Sequence, residues 1–578
     1  VNEIRQRVSV RTLVEFVLKH GDLQTGAAGS SRTVEGIRAH QFIQKARGAD
    51  YLPEVTLRTT YSEEDFLLEI HGRADGLFKK ESGICIEEIK STSLDLEEID
   101  ESFSILHWAQ AQCYAYILAK QETLDHVEVQ LTYFQLDTKE TKIITRGFSY
   151  TELRDFFLSL VQRYLAWARR IHSWIEFRNT SIRNLEFPYP SYRQGQRELV
   201  VAVYKTIKEG KKLFAQAPTG IGKTFGTIFP ALKLLNEGLA TPIFYLTAKT
   251  ITRTVAEKSL ATLQSQGLAI KRLTLTAKDK VCFCPESSCN PEECTYAKGY
   301  YDRVRLAVEE IFRVDTWDRE QIERYAFEHT VCPFEFSLDL ANWADLIICD
   351  YNYVFDPRVY LKRFFLEGGD YTFLVDEAHN LVDRAREMFS AELKKEEILD
   401  LKAKVQNEEK VLAKRLQTVN NNLVKLRKRG LEVEKDAPTS MYSSLEKFLK
   451  EAESVLNLDR VKKEEPPSWK KSLIDLYLKV LGFLRTAEGY DEHYVTSYKD
   501  SDQDYLVKLL CVDPSKRLAE GLARGRAAVL FSATLSPIEY FIQILGGEAS
   551  SYKLKLDSPF PMENLCLLIH KRISTKYN

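Results

Sequence analysis

Lys223 and Thr224 close the stretch APTGIGKT, Ala217–Thr224. Two glycines, a lysine and a hydroxyl in this order suit a polyphosphate and its magnesium ion. Gly220 and Gly222 carry no Cβ, so backbone N–H groups can turn onto phosphate oxygens. Lys223 would reach the terminal phosphates, and the Thr224 hydroxyl would offer an oxygen to Mg2+. Downstream, YTFLVDEAHN presents Asp376 and Glu377 side by side. Asp376 suits a contact with the magnesium ion, and Glu377 suits polarising an attacking water. His379 would couple that pair to AAVLFSATLSP, where Ser532, Ala533 and Thr534 close an apolar run. A DEAH tetrapeptide alone recurs by chance; here it follows an apolar run and lies downstream of the glycine loop.

A second set lies nearer the N-terminus. GRADGLF carries Asp75, and CIEEIKST carries Glu88 and Lys90. Residues two apart on a strand share a face. An aspartate from a neighbouring strand can join them, giving two carboxylates for Mg2+ or Mn2+ and a lysine to orient the attacking water. His40 in EGIRAHQFIQ is a further candidate metal ligand. Gln112 and Tyr116 in WAQAQCYAY stand one helical turn apart. Singly, each has a plain alternative: charges on a solvated strand, a partly buried helix histidine, or packing side chains.

The third set is sulfur. KVCFCPESSCNPEECTYA holds Cys282, Cys284, Cys289 and Cys294, and Cys332 follows in TVCPFEF, out of ten cysteines in all. The opening VNEIRQRVSVRTLVEFVLKHG has no uninterrupted apolar segment of a signal peptide. A reducing compartment is therefore expected, where disulfides are rare, and metal becomes the better reading. The paired short spacings usual for zinc are missing. Spacing alone leaves zinc and iron–sulfur open.

These residues need elements to position them. The chain has 578 residues, is 44% hydrophobic and 28% charged, and has a formal net charge of −2. That is too long for one core, and any site for a polyanion must be a local patch. No apolar run reaches the ~18 residues that span a bilayer. KLFAQA, PIFYLTA, ADLIICD, YTFLVDE and AAVLFSAT are short apolar runs alternating with helical segments, the pattern of buried parallel strands in an α/β sheet. Function then belongs at their carboxyl ends. LLEIHGRADGLF and GICIEEIKS predict two more strands, SILHWAQAQCYAYILAKQ a helix, and Leu153 to Trp174 a longer one. Leu412, Leu416, Val419, Leu423 and Leu426 form a short heptad seam beside Lys414, Arg415, Lys425, Arg427, Lys428 and Arg429. Those charges read as a solvated helical face, with a DNA-facing edge as the sharper alternative.

Loop, DEAH and SAT, in this order and each after a strand, resemble the superfamily-two helicases. FPYPSYRQGQ resembles their adenine-reading segment, with Gln196 as the base contact, and LTAKTITRTVAE resembles their first DNA-backbone motif. Cysteines between that motif and DEAH, a helical insertion before SAT, and DYNYVFDP, Asp350 to Pro357, resemble the XPD/DinG family of iron–sulfur DNA helicases. The resemblance implies ATP and Mg2+ at the loop, and a 4Fe-4S cluster on Cys282, Cys289, Cys294 and Cys332. Cys284 is left as a spare thiol. It further implies single-stranded and forked DNA as partner, 5′ to 3′ movement, and a role in DNA repair or processing. No membrane is implied, a monomer is favoured, and a cytoplasmic, nucleoid-associated protein of bacterial type is expected.

The N-terminal set resembles PD-(D/E)xK nucleases of the RecB-like branch, with Asp75, Glu88 and Lys90 catalytic, His40 a metal ligand, and Gln112 and Tyr116 its Gln-x-x-x-Tyr motif. A retained fold without activity is the alternative. The expected architecture is α/β: a nuclease-like domain at 1–175, a linker at 176–190, and a RecA-like parallel-sheet lobe at 191–277, 336–384 and 516–556. A cluster insertion at 278–335 and a helical arch at 385–515 interrupt that lobe. Residues 557–578 resemble the opening of a second helicase lobe whose remaining motifs are absent, so a truncated chain that hydrolyses ATP poorly is expected. Two rival readings are a RecB/AddB-type helicase–nuclease and a DNA-binding ATPase scaffold. DEAH plus SAT argues against the first; Lys223 and Glu377 argue against the second.

Overall fold

The computed structural model describes residues 4–568 apart from 24–32, 65, 81–82, 93, 137, 249, 286, 288, 366–367, 459–466, 502–503 and 565. Lys249 of the LTAKTITRTVAE motif and the end of the tail, 569–578, therefore lie outside the described residues. The chain divides into two compact units, Val1–Ser181 with Thr276–Trp343, and Ile182–Leu275 with Ala344–Asn578. This grouping differs from the sequence expectation. The cysteine insertion belongs with the N-terminal domain and not with the lobe that it interrupts. The expected linker 176–190 is also mostly helix, because α4 runs Tyr150–Asn184.

In the first unit, strands β1 (Ile4–Ser9), β2 (Tyr51–Glu63), β3 (Phe66–Lys80), β4 (Gly83–Thr92), β5 (His126–Gln135) and β6 (Thr141–Ser149) form one mixed sheet. Helices α1 (Val10–Leu18), α2 (Thr33–Ala46) and α3 (Ile105–Glu122) precede α4. β2 pairs along β3 from Phe66 to Phe78. β1 must then share the other edge of β3 with β4: β1 takes Phe66–His71 and β4 takes Gly76–Lys80. The edge between them, Gly72–Asp75, is left open, and this gap is where Asp75 lies. Gly76 is required at its border, since a Cβ there would come within 2.0 Å of the Tyr51 hydroxyl.

The turn after α1 joins the cysteine segment directly. Leu23 N–H donates to the Ala297 carbonyl at 2.9 Å, and Tyr301 N–H donates to the Gly21 carbonyl at 2.9 Å. The Asp22 carboxylate accepts from Gly299 N–H at 2.6 Å, and the Asp302 carboxylate accepts from Gly21 N–H at 2.8 Å. Phe16, Trp167, Phe312 and Trp343 form an aromatic cluster, with successive centroids 5.1–5.6 Å apart from Phe16 through Trp167 to Phe312 or Trp343. Asp22→Ala removes one of these charged bonds. Amide exchange over Ala297–Tyr301 should then speed up roughly fivefold, the factor about 1 kcal/mol gives; hydrogen-exchange mass spectrometry reads it.

In the second unit, β7 (Lys212–Gln216), β8 (Ile243–Thr247), β9 (Arg272–Thr274), β10 (Leu346–Asp350) and β11 (Thr372–Asp376) come before the arch. Within the arch, β12 (Ala391–Lys394), β13 (Val433–Glu434), β14 (Tyr494–Asp500) and β15 (Tyr505–Cys511) make a small antiparallel sheet not foreseen from sequence. β16 (Ala527–Ser532) and β17 (Tyr552–Lys555) follow. The lobe's strands run parallel in the order β9–β10–β8–β11–β16–β7–β17. β8, β11 and β16 are buried along their whole length, which is why they read as unbroken apolar runs. The heptad leucines of the arch all enter its core. Among its basic residues, Arg427 pairs with Asp500 and Arg429 with Glu434.

Candidate functional site

Three neighbouring strands bring the lobe's motifs together. Asp376 at the end of β11 is level with Phe531, and Ser532 at the end of β16 is level with Gln216 at the end of β7. The loop after β7 leads into a helix, Lys223–Leu235, whose N-terminus favours an anion. Gly220 and Gly222 hold φ of 90° and 83°, the left-handed backbone that such a loop needs.

Lys223 Nζ lies 3.8 Å from Glu377 Oε1. Tyr245 donates to Asp376 Oδ2 at 2.8 Å and also contacts the Thr224 hydroxyl. Lys223, Thr224, Asp376 and Glu377 thus surround one small space. Burial pushes the Asp376 carboxyl up to about 6, against the Tyr245 hydrogen bond; repulsion from Glu377 adds to the rise and Lys223 opposes it. A divalent cation would compensate such a buried carboxylate. The Ser532 hydroxyl donates to Glu377 Oε2 at 2.9 Å and lies 2.7 Å from His379 Nδ1, with Thr534 Oγ1 3.4 Å away. His379 Nδ1 is 3.3 Å from Glu377 Oε2. DEAH and SAT therefore meet in one hydrogen-bonded group.

Gln196 lies beside the glycine loop. It is buried, its amide donates to the Gly222 carbonyl at 3.1 Å, and its oxygen accepts from Arg193 N–H at 3.1 Å. It braces the phosphate loop. Arg193 donates to the Gly220 carbonyl at 2.7 Å.

In the first unit, His40 Nδ1 lies 3.4 Å from Asp75 Oδ1, and Asp75 Oδ2 accepts from Ile89 N–H at 2.7 Å. Lys90 Nζ lies 2.7 Å from Glu88 Oε1. Glu88 is 2% exposed, and its Oε2 is buried with no hydrogen-bond partner. Burial pushes the Glu88 carboxyl up to about 7, opposed by Lys90 and reinforced by Asp75. A buried carboxylate oxygen left unpaired, beside a second carboxylate and an imidazole, fits a Mg2+ or Mn2+ ion.

The expected Gln112–Tyr116 pair is corrected. Tyr116 stacks on Tyr150 and Phe157. The pair facing the site is Gln110 and Tyr114: Lys90 donates to Gln110 Oε1 at 3.4 Å, and Gln110 donates to the Tyr114 hydroxyl at 3.2 Å. Both pairs have the same spacing on α3, so only packing tells them apart. Gln44 and Tyr51 were not foreseen; they donate to the Asp75 carbonyl at 3.0 and 3.2 Å.

None of the described cysteines is in a disulfide. Cys284 contacts the Cys294 thiol, with Cys282 and Cys289 nearby; burial first, then these thiols, raise its pKa. Burial lifts Cys332 to about 11, and Cys289 lies near it. Lys278 contacts Cys289. Cys284 thus lies beside the proposed ligand thiols, and five thiols share one neighbourhood. Tetrahedral zinc would draw its sulfurs to about 3.8 Å from one another, given Zn–S bonds of ~2.3 Å. Among the described residues, the one group whose ligand atoms all lie within 4.8 Å is Asp491, Glu492 and His493, not the thiols. Thiolates gathered in this way are ligands that suit zinc and iron–sulfur alike.

Residues 251–398 match the DEAD_2 family model. The chain is 24% identical over 251 residues to the general transcription and DNA repair factor IIH helicase subunit XPD/RAD3 of Saccharomyces cerevisiae, covering 36% of this chain and 31% of that protein. It is 45% identical over 47 residues to the probable ATP-dependent helicase MJ0942 of Methanocaldococcus jannaschii, 8% of this chain and 7% of that one. It is 22% identical over 334 residues to the ATP-dependent DNA helicase CHL1 of Meyerozyma guilliermondii, 52% of this chain and 39% of that one. The chain spans about a third of the length of the first relatives it matches. A solved structure titled XPD_Helicase aligns at TM-score 0.42 and 18% identity, over 64% of this chain and 63% of that one. No helix among the described residues is long and apolar enough to cross a membrane. Over its DEAD_2 segment and these stretches, the chain is similar to helicases that include XPD/RAD3 and CHL1.

Proposed function

We propose that this chain is the ATP-hydrolysing part of a DNA helicase that carries a nuclease-like domain and an iron–sulfur module. The observation that carries the reading is the convergence of Lys223 and Thr224 after β7 with Asp376 and Glu377 at the end of β11, the two strands that flank β16. ATP bound with Mg2+ would supply the phosphoryl group that passes to water. Lys223 holds the terminal phosphates and offsets their charge. Thr224 and Asp376 present oxygens to the magnesium ion. Glu377 takes a proton from the attacking water, and Ser532 and His379 fix its carboxylate. Because those two residues belong to β16 and to the helix after DEAH, they are placed to relay the state of the site to DNA-binding segments. Strand separation, 5′ to 3′ polarity and a repair setting follow from the family resemblance. DNA-stimulated ATP turnover, measured with and without single-stranded DNA, tests the reading.

In the N-terminal domain, His40, Asp75 and Glu88 would hold Mg2+ or Mn2+, and Lys90 would orient the hydrolytic water on a DNA phosphate. Gln110 and Tyr114 keep Lys90 in place.

Cys282, Cys289, Cys294 and Cys332 would hold the 4Fe-4S cluster, whose contribution when bound is to fix the fold of the insertion. Protein purified without air should contain about four iron atoms and absorb near ~400 nm. Cys332→Ser should lose both, and Cys284→Ser should keep them. Stoichiometric zinc in a colourless preparation made without air would sink this assignment.

A further inference from the structure

Tyr351 belongs to DYNYVFDP and follows β10. We propose that it is a positioning residue for hydrolysis: its hydroxyl holds the DEAH turn in the backbone conformation that aims Glu377 at the phosphate loop. The inference rests on the ATP site proposed above and adds a residue outside its motifs.

The motivating feature is backbone strain. Glu377 has φ of 48°, in the left-handed region that residues with a Cβ avoid. Such a residue persists only where its surroundings over-determine it. Glu377 N–H donates to Asp376 Oδ1 at 2.9 Å. The Glu377 carbonyl accepts from Asn380 N–H at 2.9 Å and from the Asn380 side-chain amide at 3.2 Å. These bonds are local and would follow the turn wherever it moved. Tyr351 is a long-range restraint on these peptide units, beside the Ala378 N–H bond to the Phe531 carbonyl at 3.1 Å. Its hydroxyl is placed to donate to the Asp376 carbonyl and lies 3.1 Å from the Glu377 carbonyl. One side chain, 0% exposed, thus grips both peptide units that set the direction of the Glu377 side chain.

Tyr351 is itself fixed from both sides. β10 delivers it beside β8, with Asp350 level with Thr247. Arg384, on the helix His379–Phe389 that begins within the DEAH box, reaches back to Asn352 Oδ1 at 3.0 Å and Asp350 Oδ1 at 3.4 Å. The residues flanking Tyr351 are therefore clasped to the helix whose first turn Tyr351 holds. Movement of the chain leaving β10 would be felt at Glu377 before the phosphate loop, because none of these bonds reaches Lys223.

The test separates kcat from KM. Tyr351→Phe keeps the ring and removes only the hydroxyl. In the full protein with single-stranded DNA, kcat for ATP should fall roughly tenfold, the scale of one hydrogen bond lost from a transition state. KM for ATP and the affinity for a fluorescent ADP analogue should stay within about twofold, since ground-state binding belongs to the loop. Arg384→Ala, which opens the clasp, should show the same split. An unchanged kcat in Tyr351→Phe would overturn the proposal, as would equal losses in kcat and nucleotide affinity. Glu377→Gln is the separate control: full turnover in that variant would refute the ATP site itself, not the role of Tyr351.

Discussion

Lys223→Ala is expected to abolish DNA-stimulated ATP hydrolysis. In the proposed site Lys223 is the cation of the loop; its side chain is only 12% exposed, and its ammonium faces Glu377 at 3.8 Å. Its removal would leave the terminal phosphates without a positive partner where little water can substitute. Loss of one preorganised group of this kind costs about 10²–10³ in rate. The Glu377 carboxylate would also face the nucleotide unopposed, so ATP affinity should fall as well. Gly226 and the helix behind the loop do not depend on the lysine, so the fold should survive. Turnover unchanged from wild type would show that phosphate binds elsewhere.

The second large effect is expected in the N-terminal domain. Asp75→Ala and Lys90→Ala should each lower metal-dependent DNA cleavage by roughly 10²–10⁴, the usual contribution of a positioned catalytic group. Asp75 sits in the open edge of β3 and would give the metal its most direct oxygen. Lys90 lies 2.7 Å from Glu88 and is braced by Gln110. Cleavage is measured on labelled single-stranded DNA with Mg2+ or Mn2+. ATP turnover should be unaffected in both variants, because Asp75 and Lys90 belong to the other unit. Wild-type protein that cuts no DNA with either metal would mark the domain as a retained fold serving another purpose.

Which parts of this were legible in the sequence follows from the range of the interactions. The phosphate loop, DEAH and SAT are local: each is a strand with its following turn, and alternation of apolar run and turn signals all of them. Asp75, Glu88 and Lys90 were legible because strand periodicity alone puts Glu88 and Lys90 on one face. The Gln-x-x-x-Tyr pair was not. Gln110–Tyr114 and Gln112–Tyr116 overlap on one helix, and the choice depends on which face β4 covers. Tyr245, Tyr351, Gln44 and Tyr51 were invisible for a related reason. Each acts on a residue distant in sequence, through a hydroxyl or amide that no residue spacing marks. That Cys284 lies beside Cys294 was not legible, because a turn of the chain brings the two together. The arch sheet was missed because its longer strands, β14 and β15, are amphipathic and lie beside helices that dominate the local pattern. Grouping of the cysteine insertion with the N-terminal domain rests on Asp22, Asp302 and a few aromatic rings, none of which signals a partner in the sequence.

Nucleotide held between the loop and DEAH is expected to drive DNA strand separation. The most direct measurement is strand displacement on a forked duplex by the full protein, purified without air, with Mg2+ and ATP. Wild type and Asp75→Ala should both release the labelled strand, while Lys223→Ala and Glu377→Gln should not. Release that persists in Lys223→Ala, or that proceeds without ATP, would contradict the account.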